Sequence, residues 1–336
     1  MKVKWYLFLL SIITISFFIY SFFDSSKQSP TKIGILMIGN SRYEKLSGLK
    51  AGLNDLGYKA NEFQFIVKNA KDDPKKLTTQ TKKLLNLHPD LIVTLGGIES
   101  MEIKKWMDKE KVRVPVVFAG VASPQEIGLI QNYKKPGSAF TGINNDQASI
   151  SGKRLELLHD LVPSISRVHI LYDANIDISK LSLKAAEVAS RQLSIPIKEW
   201  NVSAKGFMDQ FQKDLKQNDA LLLLPGYKIE MMNGKIVKLT KQYHLPAMGI
   251  YEHEARHGYL ASYGASFSDQ GYQAARFVSL IMKGNEPGDI PVELPDRYRF
   301  IVNKMTENSL GLPLNKDLLY IAEFVTTDKK AGVEQP

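Results

Sequence analysis

Two sets of residues in this chain have types and spacing suited to chemistry. The first is His253-Glu254-Ala255-Arg256-His257. Two histidines one helical turn apart can bind zinc while the glutamate between them activates a water, the metallopeptidase pattern. That chemistry needs a helix of several turns. Here the pattern directly follows an apolar run at 246–250 and runs into Gly258 and a further apolar run, which leaves room for about two turns. Its neighbours Glu252 and Gly258 are not the apolar residues that bury such a helix, and no third-ligand motif follows. A zinc peptidase through 253–257 is therefore kept only as a remote alternative. His88, His159, His169 and His244 are scattered singly. No catalytic residue, metal ligand or cofactor is assigned.

The second set stands where short apolar runs stop. Ser41, Arg42 and Tyr43 follow the run 32–38; Gly96, Gly97, Ile98, Glu99 and Ser100 follow 90–95; Gly120, Val121 and Ala122 follow 114–119. An arginine there can pair with a carboxylate in a bidentate way. Glycines let the backbone approach a ligand, and a helix amino terminus offers free N–H groups to an anion. Glu99 can serve a ligand ammonium or complement the helix dipole. In the second half, Tyr172-Asp173, Gly226-Tyr227 and Tyr251-Glu252 end three runs, and Tyr263 ends another. Tyrosines combine apolar area with a polar tip, and Asp173 or Glu252 can hold an ammonium. Each position also has a plainer reading: Ser41 as a helix cap, the glycine pair as a tight turn, the tyrosines as core packing.

The elements that place these residues follow from periodicity. Runs at 32–38, 61–67, 90–95 and 114–119 are short, rich in β-branched residues and bounded by turn formers, so they predict buried strands. Helical spacing fills 43–56, 73–86 and 99–109 between them. The alternation then repeats, with strands at 167–172, 197–201, 220–224 and 246–250 and helices at 150–161, 178–193, 206–217 and 234–243. Strand–helix alternation with short connections demands parallel sheets covered by helices on both faces. Ligands of such sheets sit in the loops at the carboxyl ends of the strands. A strand from 260, a helix over 268–282 and a strand at 299–303 remain to be shared, so the chain is expected to cross between two lobes several times.

Composition narrows the classes. The 336 residues carry a net charge of +9, of which residues 1–30 supply +2. The lysines are scattered among helical segments without arginine–aromatic interleaving, which predicts a solvated basic surface and no nucleic-acid partner. The absence of cysteine excludes disulfides, thiolate metal sites, a cysteine nucleophile and an acylated cysteine. Residues 5–23 hold 19 uncharged positions preceded by Lys2 and Lys4. At ~1.5 Å per residue they come close to spanning a ~30 Å hydrocarbon core, which predicts a membrane anchor or a signal segment with the rest of the chain outside. No small-residue cleavage site follows at 22–26, which favours an uncleaved anchor.

With these elements in place, the residues resemble a known family. PVVFAGVASPQEIGLI at 115–130, PGSAFTG at 136–142, PDLIVTLGG at 89–97 and LVPSISRVHILYD at 161–173 are similar to TrpX-like substrate-binding proteins of ABC transporters, which have the type I periplasmic-binding fold. The most specific match is LASYGASFSDQGYQAARFVSLIMKGNEPGDIPVE at 260–293, and VNKMTENSLGLPL at 302–314 also fits. The resemblance covers roughly 32–325. It implies an α/β chain of two doubly wound parallel-sheet lobes that capture a small solute, often an amino acid, without catalysis. The expected lobes are 32–145 plus about 265–292, and 146–264 plus about 296–325. A linker at 25–31 precedes them and a polar tail at 326–336 follows. Hinges are expected at 143–146, 264–267 and 291–295. The expected partners are the solute, an ABC permease and its ATPase; a membrane-tethered sensor for a signalling partner is the alternative. The chain departs from the family in lacking the lipoprotein cysteine. It also carries PGYKIEMMNGK at 225–235 where the family has a PTDN-like turn, and this segment is expected to decide which solute binds.

Overall fold

The structure, a computed structural model, describes residues 29–327. The apolar run 5–23 and nearly all of the 326–336 tail lie outside the described residues. Among those described, no helix is long and apolar enough to cross a membrane.

The first half builds β1 (Thr31–Met37), α1 (Tyr43–Asp55), β2 (Phe63–Asn69), α2 (Pro74–Leu85), β3 (Leu91–Thr94), α3 (Gly97–Glu110), β4 (Val116–Val121) and β5 (Phe140–Asn144). Its five strands form one parallel sheet in the order β2-β1-β3-β4-β5. The period of two along a strand explains why the apolar runs are continuous. Ile33, Ile35 and Met37 face a core shared with Leu46, Leu49 and Leu53 of α1, while Leu36 faces one shared with Leu77 and Leu84 of α2 and Ile103 of α3. The start of α2 shows its capping chemistry. The Asp73 carboxylate accepts the Lys75 and Lys76 N–H groups, with Pro74 in the first turn where its missing donor does no harm.

The second half runs through α4 (Ser151–Leu161), β6 (Arg167–Tyr172), α5 (Asp177–Leu193), β7 (Ile197–Asn201), α6 (Phe207–Asp214), β8 (Asp219–Leu223), α7 (Tyr227–Met231), α8 (Asn233–Gln242), β9 (Ala247–Gly249), α9 (Glu252–His257) and β10 (Ala261–Gly264). It closes with α10 (Phe267–Met282), β11 (Arg299–Asn303), α11 (Lys304–Leu310), α12 (Lys316–Ile321) and β12 (Glu323–Val325). The sheet order is β12-β11-β10-β9-β8-β6-β7. The expectation of a wholly parallel second sheet needs correction, because β10 and β11 pair antiparallel. The chain reaches β11 after leaving the sheet for α10, so it re-enters from the opposite end. The segment 225–235, read in the sequence as a variant turn, carries the short helix α7 and the start of α8.

The chain passes between the sheets three times: from β5 to α4, from β10 to α10, and from the strand-like contact Ile143–Glu293 to β11. Helix α10 therefore belongs to the first core, where Ala274, Ala275, Phe277 and Val278 pack. Its crossing with α1 is backbone against backbone. A Cβ on Gly48 would fall 2.0 Å from the Ser268 carbonyl oxygen, and one on Gly271 would fall 1.9 Å from that of Lys45.

One polar network sits inside the second lobe. Buried His169 places Nε2 2.8 Å from Asp219 Oδ2 and receives Trp200 Nε1–H on Nδ1 at 2.8 Å. Indole nitrogen only donates, so Nδ1 must accept and Nε2 must carry the proton. Burial lowers the histidine pKa, so the ring stays neutral with both nitrogens used.

Candidate functional site

The carboxyl ends of β1, β3 and β4 face those of β6, β8 and β9 across a cavity of about 590 Å³. The first sheet contributes Arg42 and Lys45 after β1, Gly96 to Glu99 after β3, and Gly120 to Ala122 at the end of β4. The second contributes Asn175 to Ile178 after β6, Pro225 to Tyr227 and Glu230 after β8, and Tyr251 after β9; Asn145 and Gln147 come from the first crossing.

Three charged groups of this cavity are buried. Arg42 is 7% exposed, Lys45 2% and Glu99 0%. Arg42 Nη2 lies 3.3 Å from Glu230 Oε2, and Nε lies 3.8 Å from Glu99 Oε1. The guanidinium and the Lys45 ammonium both stand over the Phe267 ring, at 4.7 and 4.8 Å from its centroid. Burial opposes the Arg42 charge, but Glu230 and Glu99 outweigh it and raise its pKa, so the side chain is a permanent cation. Lys45 is pushed the other way, first by burial and then by Arg42, to well below the ordinary lysine value. Its Nζ donates to the Ala119 carbonyl at 2.6 Å.

Several of these groups still have hydrogen-bonding capacity. Glu99 Oε1 accepts the Ile38 N–H at 2.9 Å, while its Oε2 has no partner among the described residues. Arg42 Nε and Nη1 and Gln147 Nε2 are likewise buried without a hydrogen-bond partner, as is Gln270 Oε1 behind Gly120. Buried polar groups are nearly always satisfied, so such a concentration at one cavity marks a place where something else supplies the partners. The two glycine turns make the arrangement possible. A Cβ on Gly96 would lie 2.6 Å from Glu99 Oε2, and Gly120, at φ +89°, would drive one to 1.7 Å from Gln270 Oε1.

Of the residues singled out in the sequence, Arg42, Gly96, Gly97, Ile98, Glu99, Gly120, Val121, Ala122, Gly226, Tyr227 and Tyr251 line the cavity. Five others stand apart from it. Ser41 is exposed on the turn before α1, and Tyr43 is exposed on α1 itself. Ser100 is buried beneath the turn, donating to the Gly96 carbonyl at 2.7 Å. Asp173 accepts from Ser203 Oγ at 2.7 Å and Asn175 N–H at 3.0 Å, so it orders the loop behind the cavity. Glu252 is taken by Arg256 and Arg299. Lys45, Gln147 and Asn175 to Ile178 also line the cavity without standing out in the sequence, and Glu230 stood out only as part of the segment 225–235. Only Lys45 left a trace, as a lysine sharing a helical face with Gly48, Leu49 and Gly52.

The metallopeptidase pattern does not assemble. Helix α9 has six residues, and Glu254 Oε2 is turned onto the Ile250 and Tyr251 N–H groups at 2.6 and 2.9 Å. The His253 ring packs between Tyr251 and Phe267, with centroids 5.4 and 5.3 Å away. Among the described residues, no cluster of three or more His, Cys, Asp or Glu side chains could hold a metal.

A family model described as ABC transporter substrate binding protein matches residues 32–326. A tyrosine-binding protein of Clostridioides difficile is 25% identical over 311 residues, which cover 92% of this chain and 88% of that one. Two solved structures share the fold with a TM-score of 0.77. One is an ABC domain from Streptococcus pneumoniae in complex with L-Trp, 21% identical, covering 88% of this chain and 99% of that one. The other is a conserved domain protein from Vibrio cholerae, 19% identical, covering 89% and 100%. The ligand-free, open form of a substrate-binding protein with adhesive properties from Clostridium difficile matches at 0.69, with 19% identity and coverage of 89% and 100%.

Proposed function

Because the chain belongs to the family of ABC transporter substrate-binding proteins, we propose that its cleft captures a free α-amino acid with an apolar or aromatic side chain. The protein is a solute-binding protein and not an enzyme. The observation that carries the proposal is the pairing, on one cavity wall, of unpartnered donors on buried Arg42 with the unpartnered Oε2 of buried Glu99. A zwitterion supplies both missing partners, its carboxylate to the guanidinium and its ammonium to the glutamate. Beyond that pair the cavity is walled by Ile98, Val121, Ile127, Ile176, Ile178 and the rings of Tyr227 and Tyr251. Apolar and aromatic walls with a few convergent polar groups suit a solute with a charged head and an apolar body. The relatives that bind tyrosine and tryptophan support the same class of ligand.

Capture in this reading proceeds by closure. Two contacts join the lobes at the cleft mouth, Arg42 with Glu230 and the Tyr227 hydroxyl donating to the Asp72 carbonyl at 2.6 Å. A solute that touches both lobes favours the closed state by its differential affinity. The crossings that follow β5 and β10 and precede β11 act as the hinges, and the closed surface is presented to a permease. The apolar run 5–23 tethers the chain on the outer side of the membrane in this reading.

The test is a melting-temperature screen of the purified protein against amino acids and their analogues. An aromatic amino acid should raise the melting temperature, since a ligand bound only by the folded state stabilises it. Tyramine, which lacks the carboxylate, and phenylpyruvate, which lacks the ammonium, should each bind about tenfold or more weakly. If no amino acid shifts melting, or if the amine and the keto acid match the parent, the proposal falls.

A further inference from the structure

Lys45 is a buried ionisable group of the cavity to which the reading above gives no task. Its backbone is fixed by the helix crossing, where a Cβ on Gly271 would fall 1.9 Å from the Lys45 carbonyl oxygen. The side chain runs inward and ends at the Gly120 turn, with Nζ 3.1 Å from where a Cβ on that glycine would stand. There Nζ makes one hydrogen bond, to the Ala119 carbonyl at 2.6 Å. Among the described residues no carboxylate pairs with it, because Glu99 and Glu230 both turn to Arg42.

The groups around Lys45 leave its charge poorly supported. Arg42, a permanent cation, opposes it, while Glu99 of α3 and Glu230 of α7 favour it only from beyond pairing distance. Burial is the largest influence, and with Arg42 it holds the ammonium well below the ordinary lysine value. Tyr251 and His253, which pack on Phe267, are neutral: burial raises the tyrosine and lowers the histidine to about 3. On α10, Asp269 is turned to Arg297, and Gln270 is uncharged.

We propose that Lys45 is a second seat for the solute carboxylate, beside Arg42, and that it takes up a proton from solvent as the solute enters. The inference rests on the amino-acid reading above. A buried amine next to a guanidinium, with no carboxylate to pair with, favours its neutral form. A carboxylate within hydrogen-bond distance reverses the balance, because it favours the ammonium and gives the N–H groups an acceptor. The two carboxylate oxygens then find donors on two side chains, Arg42 through its unpartnered Nε and Nη1 and Lys45 through Nζ. Proton and solute each strengthen the binding of the other, and this linkage is reciprocal. Affinity therefore falls as pH rises through the range in which the free chain has lost the proton and the bound chain holds it.

The test is calorimetric titration of the purified protein with L-tryptophan and with L-tyrosine, from pH 6 to 8.5, in phosphate and in Tris. The two buffers release their protons with different heats, so the difference in binding heat counts protons exchanged. Up to about one proton should be taken up, with affinity falling by up to about tenfold per pH unit where uptake is greatest. Lys45→Arg carries a fixed charge and should bind without uptake. Lys45→Met should also bind without uptake, and about tenfold more weakly. Binding of the parent with no proton exchange, or with release, overturns the proposal. So does an uptake that survives both substitutions, which assigns the proton to another group such as Glu254. All three results leave the amino-acid reading standing. Failure of both amino acids to bind overturns that reading and this inference with it.

Discussion

Arg42 and Glu230 meet across the cleft, Nη2 to Oε2 at 3.3 Å, one from the turn that follows β1 and the other from the short helix that follows β8. Their side chains are 8% and 21% exposed, so the pair is largely shielded from solvent screening. It makes one residue serve two purposes: Arg42 holds the lobes together and keeps further donors aimed at the cavity. In the proposed function the segment 225–235 would thereby act on both closure and recognition.

These two purposes separate by substitution. Arg42→Ala leaves Glu99 and Glu230 without their cation and should weaken amino-acid binding by about 3 kcal/mol, roughly a hundredfold. Glu230→Gln removes only the cross-cleft charge and should weaken binding by about 1 kcal/mol, expressed mainly as faster release. Stopped-flow association and calorimetry on both variants measure the difference. Equal losses, or a Glu230→Gln effect confined to association, contradict the division of labour.

The doubly wound halves were legible because strands buried on both faces read as unbroken apolar runs, and this fixed where the strand ends would be. That is why Gly96 to Glu99 and Gly120 to Ala122 could be placed at the cleft from spacing and turn chemistry. Glu230 was legible only as one residue of the divergent segment 225–235, since it lies on α7, a helix of five residues too short to show periodicity. Asp173 and Glu252 stand at strand ends, but their carboxylates are consumed by Ser203, Asn175, Arg256 and Arg299, partners between 2 and 47 residues away in sequence. Position along a strand shows which loop a residue occupies; which way its side chain turns depends on such distant partners. The antiparallel β11 was hidden for a similar reason, as strand direction depends on the path through α10.

Gly48 and Gly234 should respond oppositely to alanine. Alanine normally stabilises a helix over glycine by up to about 1 kcal/mol. Gly234 has open space where a Cβ would stand, so Gly234→Ala should gain a part of that amount. A Cβ on Gly48 would fall 2.0 Å from the Ser268 carbonyl oxygen, so Gly48→Ala must spread α1 from α10 and lose about 1–3 kcal/mol. Urea unfolding of the two variants provides the measurement, and a stabilised Gly48→Ala refutes the tight helix crossing.

Trp200→Phe keeps the ring beside His169 and Phe211 but deletes the indole donor. His169 Nδ1 is then a buried acceptor with nothing to accept, a loss of about 1–3 kcal/mol beyond the small change in volume. The His169 ring nitrogens report the tautomer directly by nitrogen NMR. In the parent protein the proton belongs on Nε2, facing Asp219; a proton on Nδ1 shows that the indole bond is absent.

Glu254 makes stability fall as pH rises. Burial pushes its carboxyl from the ordinary 4.5 up to about 7, against the Tyr251 and Ile250 N–H bonds that favour the anion. Below pH 4.5 the folded and unfolded chains both hold the proton, and the folded state bears no charge penalty at this position. Between 4.5 and about 7 the unfolded chain releases its proton while the folded chain keeps it, so this contribution is progressively lost. Above about 7 both states are ionised and the loss is complete, on the order of 3 kcal/mol. Glu254→Gln cannot titrate, so the stability of the parent relative to this variant should drop by that amount across the window. Urea unfolding at a series of pH values, with the two proteins side by side, decides the matter; parallel profiles exclude a protonated Glu254 in the folded chain.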